Sequence, residues 1–141
     1  GRPRKGIYVK ERYNPEELAC KLYTPSYISL EYVLQKAGMV FQYDSRITSV
    51  SYLSREIEVD NKTYLYRKIK GEIIIDTIGI IRDGNINKAT VERAFLDILY
   101  LNGNYYFDNL NPINKDIVRK ILPIYRSKTL SARVDKFLNN G

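Results

Sequence analysis

The segment Thr90–Leu101 constrains this chain more than any other. Val91, Ala94, Phe95, Ile98 and Leu99 recur at helical spacing, and Leu96, Tyr100 and Leu101 widen the apolar stripe until little of the helix can face water. Such a helix has to be enclosed by other elements. Thr90 can cap its start and Asn102-Gly103 ends it. Two acids stand on it all the same, and an unpaired carboxylate there would be costly. Asp97 lies one turn after Arg93, which offers an i,i+4 ion pair, and Glu92 in the first turn can meet backbone N–H groups. Both acids therefore read as structural.

The enclosing elements must come from a chain of 141 residues, a length that suits one domain. Between Ile47 and Ala89 the pattern alternates as strands do. Ile47–Leu53, Glu56–Val59 and Thr63–Ile69 are rich in β-branched and aromatic residues, with Asp60-Asn61 as a turn between the last two. Glu72–Arg82 is more continuously apolar, which predicts a central strand, and Asp83-Gly84 predicts a hairpin into a strand near Ile86–Lys88. Gly6–Lys10 alternates like a short strand. Asn14-Pro15-Glu16-Glu17 starts a short helix to Leu22. Ser29 can cap a second helix carrying Leu30, Val33 and Leu34 and stopping at Gly38. Two more helices are predicted at Asn114–Leu122, stopped by Pro123, and at Ser127–Leu138. The expected fold is α+β: a mixed or antiparallel central sheet packed by the buried helix, with short flanking helices. Residues 13–141 form that single domain and residues 1–12 a basic N-terminal segment.

Several chemistries are excluded by composition. The chain has no histidine and one cysteine, so histidine-based triads and dyads and Cys/His zinc sites cannot be built. One cysteine forms no internal disulfide, which fits a cytoplasmic setting. No apolar run approaches the roughly 20 residues of a membrane span, so no membrane partner is expected. Phosphate loops of the GxxxxGK[ST] or GxGxxG kind are missing. A magnesium-dependent nuclease site built on Asp76, Glu92 and Asp97 would need the Asp…Glu-x-Lys arrangement, which the chain lacks. The expectation is a protein without cofactor, metal or enzymatic activity. It opens with Gly1, and its one methionine is Met39, which predicts that the natural start lies upstream.

The net charge of +7 sits at the two ends. Arg2, Arg4, Lys5, Lys10 and Arg12 stand against Glu11 in residues 1–12, and Lys115, Arg119, Lys120, Arg126, Lys128, Arg133 and Lys136 against Asp116 and Asp135 near the C-terminus. Residues 13–114 are slightly acidic. Basic ends of this kind attract polyanions by displacing counterions from phosphates, or simply solubilise the protein. Arg2, Arg4, Lys5, Lys115, Arg119, Lys120, Arg126 and Lys128 are thus the candidate residues for binding nucleic acid or a partner.

Three stretches together resemble a known family. They are Pro25-Ser26-Tyr27-Ile28-Ser29-Leu30-Glu31 followed by Gly38, then Tyr64-Leu65-Tyr66, then Ala89-Thr90-Val91-Glu92-Arg93-Ala94 with Leu96-Asp97-Ile98-Leu99-Tyr100. They are similar to the C-terminal domain of AbiEi-type antitoxins, of type IV toxin–antitoxin systems and bacterial abortive infection, over about Gly6 to Tyr125. The family more often has Ser-Pro-Glu-Lys-Ala where this chain has Thr90-Val91-Glu92-Arg93-Ala94. Lys5-Gly6-Ile7-Tyr8 resembles the end of the winged helix-turn-helix domain that precedes this region in the family. The resemblance implies a transcriptional regulator that reads DNA through that upstream domain, represses its own operon and neutralises a nucleotidyltransferase-like toxin, with no stable complex required.

Other readings compete with it. Gly1-Arg2-Pro3-Arg4-Lys5 also resembles an AT-hook, which would make the chain a stand-alone nucleic-acid-binding module. Pro25, Ser26, Tyr27 and Ser29 could form a binding loop at a helix N-terminus, but they read better as scaffold: Ser29 caps, Pro25 sets the chain's approach, and Tyr27 with Ile28 pins the segment to the core. Tyr64, Tyr66 and Lys68 share one strand face and could stack on single-stranded nucleic acid, or be ordinary strand residues.

Overall fold

A computed structural model describes residues 13–139. The strand expected at Gly6–Lys10 and the candidates Arg2, Arg4 and Lys5 lie outside the described residues. The elements run α1 (Pro15–Leu22), β1 (Ser26–Ile28), α2 (Glu31–Lys36), β2 (Ile47–Ser51), β3 (Arg55–Val59), β4 (Lys62–Lys68), α3 (Gly71–Ile74), β5 (Ile80–Asp83), β6 (Ile86–Ala89), α4 (Val91–Asn102), α5 (Lys115–Ile121), a 3-10 turn (Leu122–Tyr125) and α6 (Lys128–Leu138). The fold is α+β, built on a mixed sheet of six strands in the order β3-β4-β2-β1-β6-β5. Two antiparallel hairpins, β3–β4 and β5–β6, flank an antiparallel β1–β2 pair and join it through parallel contacts. Asp60 and Asn61, both at positive φ, make the tight turn of the first hairpin.

The central strands are the short, hydroxyl-rich ones. All five residues of β2 and all three of β1 are buried. Ser26 faces Ser51 and Ile28 faces Ser49 across the pair, so the three small serines share one face with Ile28. They leave room for α1, whose buried residues are Ala19 and Cys20. The Tyr66 hydroxyl, also on that side, donates to Ala19 O at 2.6 Å. Tyr27 projects to the opposite face, where α4 lies.

The expected central strand over Glu72–Arg82 does not form. Gly71–Ile74 is one helical turn, and β5 is an edge strand. The reason lies in the backbone acceptors: the carbonyls of Ile73, Asp76 and Ile78 are taken by the Arg93 guanidinium at 2.5–2.8 Å and are lost to any ladder. Gly79 fixes the bend at φ +78°, and a Cβ there would stand 2.8 Å from Ile121 Cδ1 and 3.2 Å from Arg93 Cβ.

A second departure concerns Ser29. It does not cap α2; Leu30 occupies the cap position at φ 65° with no side-chain bond. The cap comes from a neighbouring strand instead. Thr48 Oγ1 accepts from the Tyr32 N–H at 2.9 Å and donates to Ser29 O at 2.6 Å. Thr48→Val keeps the shape and strands both groups, so a loss of about 1–3 kcal/mol is expected in urea unfolding. An unchanged midpoint would show that Thr48 does not hold α2.

Asn14, Thr90, Asn114 and Ser127 cap their helices, all four of which start where the sequence predicts. Residues 92–99 of α4 are all buried, which makes it the innermost helix. Among the described residues, no helix is long and apolar enough to cross a membrane.

Candidate functional site

Two polar features stand out: a buried relay under α4 and a basic surface on α5 and α6. The relay begins with Arg93 and Asp97, both fully buried. They do not form the direct pair their i,i+4 spacing predicts. The Tyr27 hydroxyl stands between them, accepting from Arg93 Nε and Nη2 at 3.3 and 3.2 Å and donating to Asp97 Oδ2 at 2.9 Å. Ser29 Oγ donates to the same oxygen at 2.8 Å, and the Tyr125 hydroxyl to Oδ1 at 2.6 Å. The guanidinium also lies over the Tyr27 ring, 4.7 Å from its centroid. The direct pair is missing because Arg93 is turned toward three carbonyls of the 71–79 segment, and Asp97 needs three hydroxyl donors to replace lost water.

Burial pushes the Asp97 carboxyl above its ordinary range, with the Arg93 charge and the three hydroxyls pulling it back. Burial and then the Asp97 charge push the Tyr27 and Tyr125 phenols up, so both stay protonated donors. Glu92 meets a backbone N–H as expected, but one from another element: its Oε2 accepts from Asn114 N at 2.9 Å, tying α4 to the start of α5.

Of the structural motif, Tyr27, Ser29 and Asp97 thus come together, and Glu92 serves a separate junction. Pro25 contributes its carbonyl, which accepts from Ser51 Oγ at 3.0 Å. Ser26 is buried with no partner for its hydroxyl. Tyr125 and Thr48 were not legible as polar partners, because each acts through one hydroxyl on residues far away in sequence.

Asp76, Glu92 and Asp97 are engaged in three different places. Asp76 Oδ1 accepts from the Ile78 N–H at 3.0 Å, while the other two acids are bonded as described. Among the described residues, no three His, Cys, Asp or Glu side chains group as a metal site would need. A cleft of about 560 Å³ opens between the end of α1 and the β5–β6 hairpin, lined in part by Cys20, Ser26, Arg82 and Asn87. Cys20 bonds through Sγ to the Asn87 backbone, and burial pushes its thiol up, away from thiolate reactivity. The proposed stacking face is not on the surface: Tyr64 and Tyr66 are buried, and only Lys68 of the three is exposed.

On the basic surface, Lys115, Arg119, Lys120, Arg126 and Lys128 are all exposed. Lys115 and Arg119 stand one turn apart on α5, while Val118 and Ile121 face inward. Arg119 reaches Asn139 Oδ1 at 3.2 Å, and Arg126 lies 4.0 Å from the exposed Glu72 carboxylate, a contact worth little in water. Arg133 differs from these, because its Nη1 donates to Leu99 O at 2.9 Å and closes the end of α4.

The fold and site together define an α+β domain with a buried arginine–tyrosine–aspartate relay and a cationic helical surface. No family model, curated protein or solved structure matches the chain.

Proposed function

We propose that this chain is the antitoxic C-terminal domain of an AbiEi-like transcriptional regulator, which autoregulates its operon and neutralises a nucleotidyltransferase-like toxin, and that it is not an enzyme. One observation carries the reading. Two of the three pieces on which the resemblance rests act as a unit: Tyr27 and Ser29 of the Pro25–Glu31 stretch are bonded to Asp97, and Tyr27 to Arg93, of the Ala89–Tyr100 stretch. The likeness therefore includes four residues, Tyr27, Ser29, Arg93 and Asp97, that serve one structural purpose.

The exposed cations of α5 and α6 are the proposed working surface. Their sign suits a nucleic acid that the toxin also uses, and antagonism through a shared substrate needs no toxin–antitoxin complex. DNA would be read through a winged-helix domain upstream, in the cytoplasm. The test is growth rescue when the chain is co-expressed with such a toxin. The unaltered chain is expected to rescue growth, and one with Lys115, Arg119 and Lys120 all changed to Gln to fail while keeping its circular dichroism spectrum. Absence of rescue by the unaltered chain overturns the function, and full rescue by the triple variant leaves the surface as solubilising charge.

Because basic ends supply phosphate contacts only, the chain by itself is expected to bind duplex DNA weakly and without sequence preference. Affinity should lie near roughly 10⁻⁴–10⁻⁶ M and fall with salt. Nanomolar, sequence-selective binding in a fluorescence-anisotropy titration would contradict this.

A further inference from the structure

The sheet topology gathers basic side chains at one end of the strands. The parallel strands β2 and β4 both finish there, and β1 and β3 begin there: the register sets Ser26 beside Ser51, Ser51 beside Lys68 and Arg55 beside Tyr66. The loop at residues 52–54 is fastened to the end of β4, with the Lys68 N–H donating to Ser54 Oγ at 2.9 Å and the Ile69 N–H to Ser51 O at 3.0 Å. Arg55, Arg67, Lys68 and Lys70 thus stand around the turn that carries Tyr52, which is 47% exposed. Arg67 is half-buried and the other three cations are exposed.

Among the described residues, none of these four cations is in a salt bridge. Arg55 lies over the Tyr23 ring, 5.7 Å from its centroid, and Arg67 donates to the side-chain amide oxygen of Asn102, so neither charge meets a carboxylate. The acids next to them in sequence turn to other partners: Glu56 is 3.7 Å from Arg46, and Glu72 is 4.0 Å from Arg126. At the opposite end of the same strands, by contrast, Asp44, Glu58 and Asp60 offset Arg46 and Lys62. Like charges held together repel one another, and an anion relieves that repulsion. The 560 Å³ cleft beside the end of β1 continues the positive strip, with Lys21 and Arg82 in its lining against one acid, Asp76.

We propose that this end of the sheet binds single-stranded nucleic acid, its phosphates lying along Arg55, Lys68 and Lys70 and one base stacked on Tyr52. A single strand fits better than a duplex, because an unpaired base is free to cover an aromatic ring, whereas a paired one must first leave its own stack. An acidic protein would meet the charges and leave the ring unused. The inference goes beyond the antitoxin reading, whose working surface lies on α5 and α6, and does not depend on it.

The chain has no tryptophan, so Tyr52→Trp introduces a single reporter. Titration of that variant with a thymidine dodecanucleotide at low salt is expected to quench the indole saturably, with a duplex of the same length binding about fivefold more weakly. In fluorescence anisotropy of the labelled strand, Tyr52→Ala should weaken binding about tenfold and Tyr52→Phe should leave it unchanged. Lys68→Gln combined with Lys70→Gln should flatten the slope of log affinity against log salt by about 1.4, at roughly 0.7 for each lost phosphate contact. Each variant alters an exposed side chain, and an unchanged circular dichroism spectrum confirms its fold. The proposal is overturned if the duplex binds as tightly, if Tyr52→Ala binds as before, or if the salt slope stays the same. An equal quench by an oligoglutamate peptide also overturns it and marks an acidic protein as the partner. So does loss of the quench when Lys115, Arg119 and Lys120 are changed to Gln, which would place the strand on α5 instead.

Discussion

Asp97→Ala is expected to cost about 3–5 kcal/mol, a large part of the stability of a domain this size. The loss has two sources. Three buried hydroxyls, of Tyr27, Ser29 and Tyr125, lose their common acceptor at once, and the Arg93 charge is left in the interior without a carboxylate nearby. Tyr125→Phe removes a single donor and should cost less, about 1–2 kcal/mol. The Asp97→Asn variant separates charge from shape. Because burial raises the Asp97 pKa in the folded state, its protonation favours folding; that contribution is fully present below the unfolded value of about 3.9 and is lost as pH rises through the folded pKa. An asparagine does not titrate, so the stability gap between the two proteins should narrow as pH rises from about 3.5 toward neutrality. Guanidinium unfolding at several pH values measures this. A gap that widens with pH would mean that Asp97 is held ionised by its partners and that burial is the smaller effect.

How far the sequence could be read depends on whether an element announces itself locally. Most helix starts did so: at Asn14, Thr90, Asn114 and Ser127 a side-chain acceptor meets a free N–H two or three residues on, and the helices begin there, whereas Ser29 does not cap α2. The hairpins did so through Asp60-Asn61 and Asp83-Gly84. What failed was set by distant partners. Ile73–Ile75 has the composition of an inner strand, yet Arg93, from a helix that comes later in the chain, takes the acceptors that a strand would use. Of the true centre of the sheet, Ile47–Ser51 lies within the strand read at Ile47–Leu53, whereas Ser26–Ile28, just after Pro25, has no strong strand signal. Its burial follows from α1 above it and the hairpins beside it. Within the candidate site, the importance of Asp97 was legible because a carboxylate on an all-round apolar helix demands partners. The i,i+4 rule named the wrong one, because it counts neighbours on one helix and cannot see Tyr27 coming in from the sheet.

Phe95→Ala should be as damaging by another route, at about 3–5 kcal/mol. Phe95 is fully buried, and its ring meets Phe107 at 5.1 Å and Phe137 at 5.8 Å between centroids. Phe107 and Phe137 also touch, at 5.4 Å, so the three rings close a triangle that joins α4 to the 103–113 loop and to α6. Truncation at Phe95 removes two of its three contacts and opens a cavity that rigid neighbours on α4 cannot fill. Phe137→Ala starts from a half-buried ring and should cost clearly less, and Tyr106→Ala, on the open side of the same loop, next to nothing. The order of the three midpoints in urea is therefore the measurement. If α6 only leaned on the domain, Phe95→Ala would loosen that helix and leave cooperative unfolding of the sheet intact, visible as a lowered m-value. With the triangle as a shared core, the midpoint falls and the slope does not.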